Sequence, residues 1–174
     1  STGRHEALEL RDGDRAHYDG LGVLKAVHHV NAIIAPAVFG LSINDQCAID
    51  RRLNELDGTC NKRRLGANAI LGASLAAAHA GAASHQEDLF IYINRLWESR
   101  LDPTKRDRKS CRFTLPMPMV NMISGGLHAG RNLDIQDVLI IPIGAKSYVQ
   151  ALEMVVGTYR AVARVLAKHG MESV

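Results

Sequence analysis

The hydrophobic pattern of this 174-residue chain changes near residue 113, and this change restricts its fold more than any other feature of the sequence. Before that point, apolar residues recur at steps of three and four, which is the period of one helix face. After it, short apolar segments rich in β-branched residues are separated by loops that contain glycine and proline, as in an α/β domain. The sequence therefore predicts two domains, residues 1–112 including a linker and residues 113–174.

The first domain is predicted to be mostly helical. A helix face begins at Gly22, and Pro36 is expected to kink or end that helix. Asp45 is expected to cap a second helix that ends at Gly58. Residues 68–83 are rich in alanine, and such small side chains allow a helix to lie close to its neighbours. We therefore expect this third helix to be central and buried.

The start of the chain combines a short alternating segment with a turn. Residues 6–10 alternate polar and apolar side chains, which predicts the end of a strand. Arg11 and Asp12 open the turn cluster that follows. We expect these two residues to fix the turn through charge-assisted hydrogen bonds and to have no chemical role.

Charge and composition exclude several classes of function. The formal net charge of +3 is too small to indicate a nucleic-acid partner. The basic residues of 101–112 alternate with acids and lack aromatic neighbours, which favours a solvated linker over a nucleic-acid patch. No apolar run approaches the roughly 20 residues of a membrane-spanning helix. The chain has an odd number of cysteines without CxxC spacing, namely Cys47, Cys60 and Cys111. We therefore expect a reducing, cytoplasmic location.

The second domain is predicted to begin with two strands and a helix. Residues 115–123 and 138–143 are apolar, strand-like segments. Ser147 and Gln150 form a capping box, and the helix that it opens is expected to end at Gly170.

The densest group of chemically capable residues lies between these two strands. A glycine-rich loop over residues 125–130 contains His128 and is followed by Gln136 and Asp137. Glycine allows the backbone to approach a ligand closely, and the three side chains could provide proton transfer, orientation and charge stabilisation. The same pattern also fits a polar hairpin loop with an exposed histidine, and the loop alone does not decide between the two.

Several motifs resemble those of the enolases, and they occur in the enolase order along essentially the whole chain. The matching segments are residues 1–3 with 6–14, 56–59 with 61–62, 65–72, 115–118, 125–129, 134–136 and 144–147. The resemblance implies an α+β N-terminal domain followed by the beginning of an α/β, TIM-like barrel near Leu115. A complete barrel needs about 250 residues and roughly 60 are present from Leu115, so the barrel is not completed in this chain.

The resemblance also implies an activity. Enolases catalyse the magnesium-dependent dehydration of 2-phosphoglycerate to phosphoenolpyruvate in glycolysis and gluconeogenesis. We therefore expect a lyase that uses two Mg²⁺ ions per active site and forms a homodimer.

Four residues take functional roles by their place in the enolase motifs. Ser1 corresponds to the mobile-loop serine that helps to coordinate the second Mg²⁺, and His128 to the histidine that closes toward the substrate. Gln136 is expected to contact the substrate. Asp137 stands where the family has a glutamate near the leaving hydroxyl, and its side chain is shorter by one methylene, about 1.5 Å. Ser124 is a smaller departure, because the family usually has asparagine there.

The general acid, the lysine base and the three carboxylate metal ligands of enolases cannot be assigned within these 174 residues. We therefore expect the sequence to be a fragment of an active parent, and the isolated chain to be inactive. Two alternatives remain at this stage. The chain could be a catalytically dead enolase-like module with a structural or interaction role, or it could come from an enolase-superfamily enzyme with a different substrate.

Overall fold

A computed structural model describes residues 5–100, 113–126 and 133–171, so Ser1 and His128 lie outside the described residues. The chain divides into two compact units, Ser1–Asp107 and Arg108–Val174, and each is described by itself. The predicted boundary after residue 112 falls in a segment that is not described, and it stays a prediction.

The first helical stretch contains a wide turn just before its proline. Helix α1 spans Leu24–His29, a π-helical turn spans Val30–Ile34, and helix α2 spans Ala35–Val38. Pro36 has no N–H group, and in a regular α-helix its ring would clash with the carbonyl four residues earlier. The π-helical turn widens the backbone at this point. The predicted helix is therefore confirmed, and the expected irregularity near its proline takes the form of this turn.

Helix α3 begins and ends as local chemistry predicts. It spans Gln46–Asp57, and the carboxylate of Asp45 accepts a hydrogen bond from the Ala48 amide at 2.9 Å. Gly58 follows with a φ of 67°, the left-handed conformation that favours glycine at a helix end. Both predicted caps of this helix are confirmed.

The alanine-rich helix α4 spans Ala67–Ser84 and lies between α3 and helix α5, which spans Leu89–Arg100. Its small side chains are buried against these neighbours, in particular those of Ala69, Ala78 and Ala82. Leu71 and Leu75, however, are 59% and 50% exposed. The prediction of a buried helix is therefore right for one face of α4 and wrong for the other.

The segment 6–10 does not form the predicted strand. The Leu8 amide donates to the carbonyl of Asn61, and the Leu8 carbonyl accepts from the Ala67 amide, both at 2.8 Å. Leu10 pairs instead with the side-chain amide of Asn68, through contacts of 3.0 and 3.1 Å. The backbone partners of this segment are thus a loop, a helix end and a side chain, which do not make a β-ladder.

Two apolar clusters hold the first unit together. The larger cluster lies among the helices from α1 to α4 and is formed by Ala26, Ile34, Ile49, Leu53, Leu65, Ala69 and Ile70. The smaller cluster lies between α4 and α5, where Tyr92 is only 1% exposed. The Tyr92 hydroxyl donates to the carbonyl of Ile43 at 3.2 Å, so its buried polar end is satisfied.

The second unit contains an antiparallel strand pair followed by a long helix. Strand β1 spans Val120–Ser124, strand β2 spans Asp137–Ile140, and helix α6 spans Tyr148–Lys168. The hydroxyl of Ser147 caps α6 by accepting from the Gln150 amide at 3.2 Å. The predicted helix is confirmed. In the part of the chain that the structure describes, the two strands form no closed barrel.

Among the described residues, no helix combines the length and apolar character needed to cross a membrane.

Candidate active site

The glycine loop between β1 and β2 is closed at its base by backbone hydrogen bonds. The Gly125 amide donates to the Gln136 carbonyl at 2.6 Å, and the Gly126 amide donates to the Leu133 carbonyl at 2.9 Å. A Cβ atom at Gly125 would collide with the carbonyl oxygen of Ile135. Glycine is therefore needed at this position for the two ends of the loop to meet.

Gln136 and Asp137 lie at the point where this loop enters β2. Both side chains are exposed, so a ligand could reach them. His128 belongs to the loop itself and lies outside the described residues, as does Ser1. The structure therefore places two of the four predicted site residues next to one another and does not describe the other two.

The carboxylate of Asp137 is held by an asparagine on the neighbouring strand. The Asn121 Nδ2 atom lies 2.7 Å from the Asp137 Oδ1 atom and 2.7 Å from the Ser124 Oγ atom. Ser124 is also the direct cross-strand partner of Asp137. The site therefore contains a three-residue polar group at the loop end of the hairpin.

Sequence reasoning did not identify Asn121. The only signal was a single amide side chain within an otherwise apolar, strand-like segment. Ser124 was noted only as a departure from the enolase pattern. Ser124 faces Asp137 because of the register between the two strands, and short apolar segments in a sequence do not specify that register.

The described residues do not form a magnesium site by themselves. Mg²⁺ prefers oxygen ligands in near-octahedral geometry and often keeps several waters. The part of the chain that the structure describes has no cluster of three or more histidine, cysteine or acidic side chains that could hold a metal ion. At the loop end of the hairpin, Asp137 supplies the carboxylate of the polar group, and one of its oxygens already accepts from Asn121.

The turn near the start of the chain has a structural role, as predicted. Arg11 donates to a backbone carbonyl at 2.7 Å and to Glu9 at 2.6 Å. The Asp12 carboxylate accepts from the Lys25 and Leu24 amides at 2.8 and 2.9 Å, at the first turn of α1. The hydrogen bond from the Lys25 amide is the main reason why the pKa of Asp12 lies below its ordinary value. Both side chains therefore fix backbone geometry.

Asp57 has a similar structural role in the interior of the first unit. Its side chain accepts hydrogen bonds from the Leu65 amide at 2.8 Å, from the Thr59 amide at 3.0 Å and from the Thr59 hydroxyl. Desolvation alone would raise the pKa of Asp57, but these hydrogen bonds lower it further than burial raises it. Asp57 is therefore a charged group that organises the loop after α3.

The first unit is helical, and the second contains a hairpin followed by a helix. A glycine loop at the end of such a hairpin is a common place for an enzyme site. These features fit the start of an α/β barrel enzyme. Comparison with known families agrees with this class. Residues 1–93 match the enolase N-terminal domain, and residues 112–174 match the enolase C-terminal TIM barrel domain. The chain belongs to the enolase family. This confirms the predicted fold class and indicates an enolase-like function from the lyase class.

Proposed function

We propose that the complete gene product catalyses the Mg²⁺-dependent dehydration of 2-phosphoglycerate to phosphoenolpyruvate, as a homodimer in the cytoplasm, and that these 174 residues alone do not. The family match supports the reaction. The observation that carries the proposal within the site is the position of Gln136 and Asp137, exposed and adjacent at the base of the glycine loop. The three cysteines without CxxC spacing support the location.

The reaction is a β-elimination with a simple balance of bonds. The base takes the C2 proton and the electron pair of that C–H bond forms the C2–C3 double bond, while the C3–O bond breaks and the hydroxyl leaves as water with a proton from the general acid. The general acid supplies that proton, and a carboxylate beside the leaving hydroxyl can take part in the proton transfer through a hydrogen bond. We assign this position to Asp137 and the contact with the substrate to Gln136.

The glycine loop provides the remaining contact that we assign to this chain. His128 closes toward the substrate as part of the loop, whose two ends are held together by the backbone bonds at Gly125 and Gly126. The lysine base, the general acid and the carboxylate metal ligands have no assigned counterpart in the 174 residues, and the proposal requires them from additional sequence.

Magnesium would supply positive charge opposite the substrate carboxylate as the C2 proton is removed. Two ions per active site are part of the proposal, and Ser1 is the residue of this chain that we assign to one of them. The chemistry of a serine hydroxyl is compatible with this ion, which prefers oxygen ligands.

The test is turnover by the complete gene product. Formation of phosphoenolpyruvate from 2-phosphoglycerate is followed by ultraviolet absorbance with Mg²⁺ and after chelation. We expect Mg²⁺-dependent turnover, with a loss of about a hundredfold in kcat for Asp137→Ala. Asp134→Ala removes an exposed carboxylate from the same loop and serves as the matched control.

Two results would contradict the proposal. No turnover at any Mg²⁺ concentration would favour the alternative of a catalytically inactive enolase-like module. Turnover of a different acid, with none of 2-phosphoglycerate, would favour a superfamily member with another substrate.

A further inference from the structure

Strand β1 contains a bulge beside the polar group of the site. Asn121 pairs with Leu139, but Ile123 pairs with Val138, so Met122 is an extra residue on β1 with no partner of its own. Such bulges locally bend a strand, and they are frequent beside active sites, where they redirect a side chain.

The bulge brings Asn121 and Ser124 to the same face of the hairpin. In a regular strand, residues three positions apart point to opposite faces. Here Asn121 lies opposite Leu139 and Ser124 lies opposite Asp137, and the two β2 residues are two positions apart and so share a face. Without the extra residue, Asn121 would point away from the carboxylate of Asp137.

The orientation of the Asn121 amide follows from its three hydrogen bonds. Its Oδ1 atom accepts from the Ile123 amide at 3.2 Å, and its Nδ2 atom donates to the two acceptors at 2.7 Å each. Exchanging the amide oxygen and nitrogen would place an oxygen against the Asp137 carboxylate. The hydrogen bond from Nδ2 fixes the Oδ1 atom of the Asp137 carboxylate.

Ser124 and Asp137, which both depart from the enolase pattern, accept hydrogen bonds from this amide. Ser124 and Asp137 are cross-strand partners, and both side chains are shorter than those of the asparagine and glutamate that the family usually has. A glutamate at position 137 would carry its carboxylate about 1.5 Å further from the backbone, beyond the place where Asn121 now holds it.

We propose that Asn121 is a positioning residue that fixes the Asp137 carboxylate for catalysis, and that the bulge at Met122 orients the Asn121 side chain toward that carboxylate. The inference rests on the function proposed above. Asn121 itself does not contact the substrate. It holds one carboxylate oxygen through a charge-assisted hydrogen bond and so determines where the other oxygen lies.

The first test compares two matched variants of the complete gene product. Asn121→Asp keeps the side-chain shape but replaces the donor with a second negative charge. Asn94→Asp makes the same change on α5, where Asn94 donates to Glu98 at 3.0 Å. Because a misplacement of about 1 Å can cost about a hundredfold in rate, we expect Asn121→Asp to lower kcat by about 10- to 100-fold with little change in KM. Asn94→Asp should retain the wild-type kcat.

The second test needs no turnover and remains informative if Asn121→Asp folds poorly. Solvent exchange of the Asn121 side-chain amide protons is measured by NMR in the wild type, in Asp137→Ala and in Asp134→Ala. Because the hydrogen bond to a charged acceptor slows exchange, we expect about tenfold faster exchange in Asp137→Ala. The rate in Asp134→Ala should stay at the wild-type value.

These outcomes separate the inference from the proposed function. A kcat for Asn121→Asp equal to that of Asn94→Asp, or a raised KM with unchanged kcat, overturns the positioning role. Unchanged amide exchange in Asp137→Ala overturns the hydrogen bond on which that role depends. A wild-type protein that does not turn over 2-phosphoglycerate overturns the proposed function, and the exchange measurement then decides alone whether Asn121 holds Asp137.

Discussion

Replacing Asp57 with alanine removes a carboxylate that is only 1% exposed at the end of α3. Its oxygens accept from the Leu65 amide, the Thr59 amide and the Thr59 hydroxyl, and these contacts hold the loop after α3 in place. The substitution leaves three donors without their acceptor. Leu65 is also only 1% exposed, so water cannot replace the lost acceptor at its amide.

The expected loss of stability follows from these contacts. An unsatisfied buried donor costs about 1–3 kcal/mol, and a hydrogen bond to a charged group contributes about 1.5–3 kcal/mol. Thr59 is half-buried, so water can partly replace its two lost hydrogen bonds. Their loss therefore costs less free energy than the loss of the bond at Leu65. We expect the free energy of unfolding to fall by about 3 kcal/mol in Asp57→Ala. Glu55→Ala removes an exposed carboxylate from the same helix and should change the free energy of unfolding by less than about 0.5 kcal/mol.

The stabilisation by Asp57 decreases in acid. The pKa of Asp57 is lowered from 3.8 in the folded protein, so its ionised form stabilises the fold. That contribution is complete above about pH 4 and is lost as the pH falls through the lowered pKa of the folded state. The difference in unfolding free energy between the wild type and Asp57→Ala should therefore be constant near neutral pH and should shrink only in acid.

Urea unfolding of these 174 residues, followed by tryptophan fluorescence, provides the assay, because their single tryptophan, Trp97, lies on α5 in the same unit as Asp57. A loss below about 1 kcal/mol at neutral pH, or a loss equal to that of Glu55→Ala, would refute the structural role of the buried carboxylate.

Four further substitutions test local features. Gly66 has a φ of 97° and no space for a Cβ atom, so Gly66→Ala should lower the unfolding free energy by about 2 kcal/mol. Gly72 lies in α4 with open space around it, and Gly72→Ala should raise the unfolding free energy by about 0.5–1 kcal/mol in the same urea titration. Asp45→Ala removes the cap of α3 and should cost about 1 kcal/mol, measured by thermal unfolding. Gly125→Ala should break its backbone bond to Gln136 and lower kcat, while the far-ultraviolet circular dichroism stays close to that of the wild type.

Features that depend on neighbouring residues were predictable from the sequence. Asp45 and Gly58 mark the ends of α3 correctly because a cap is formed within one helical turn. Ser147 marks the start of α6 for the same reason. Gln136 and Asp137 were identified by their place beside a glycine loop, and the structure describes them there.

Features that depend on distant partners were not predictable in this way. The backbone of Leu10 pairs with the side chain of Asn68, which is 58 positions away, so residues 6–10 do not need a strand partner. The exposure of Leu71 depends on which neighbours pack around α4. Asn121 reaches Asp137 only because of a bulge and a cross-strand register, neither of which is visible in the local pattern.

The most direct test of the central claim is the rate at which the complete gene product forms phosphoenolpyruvate from 2-phosphoglycerate. We predict turnover that requires Mg²⁺, stops on chelation and falls by about a hundredfold in Asp137→Ala but not in Asp134→Ala. The absence of product from a folded protein at every Mg²⁺ concentration would contradict the proposed function.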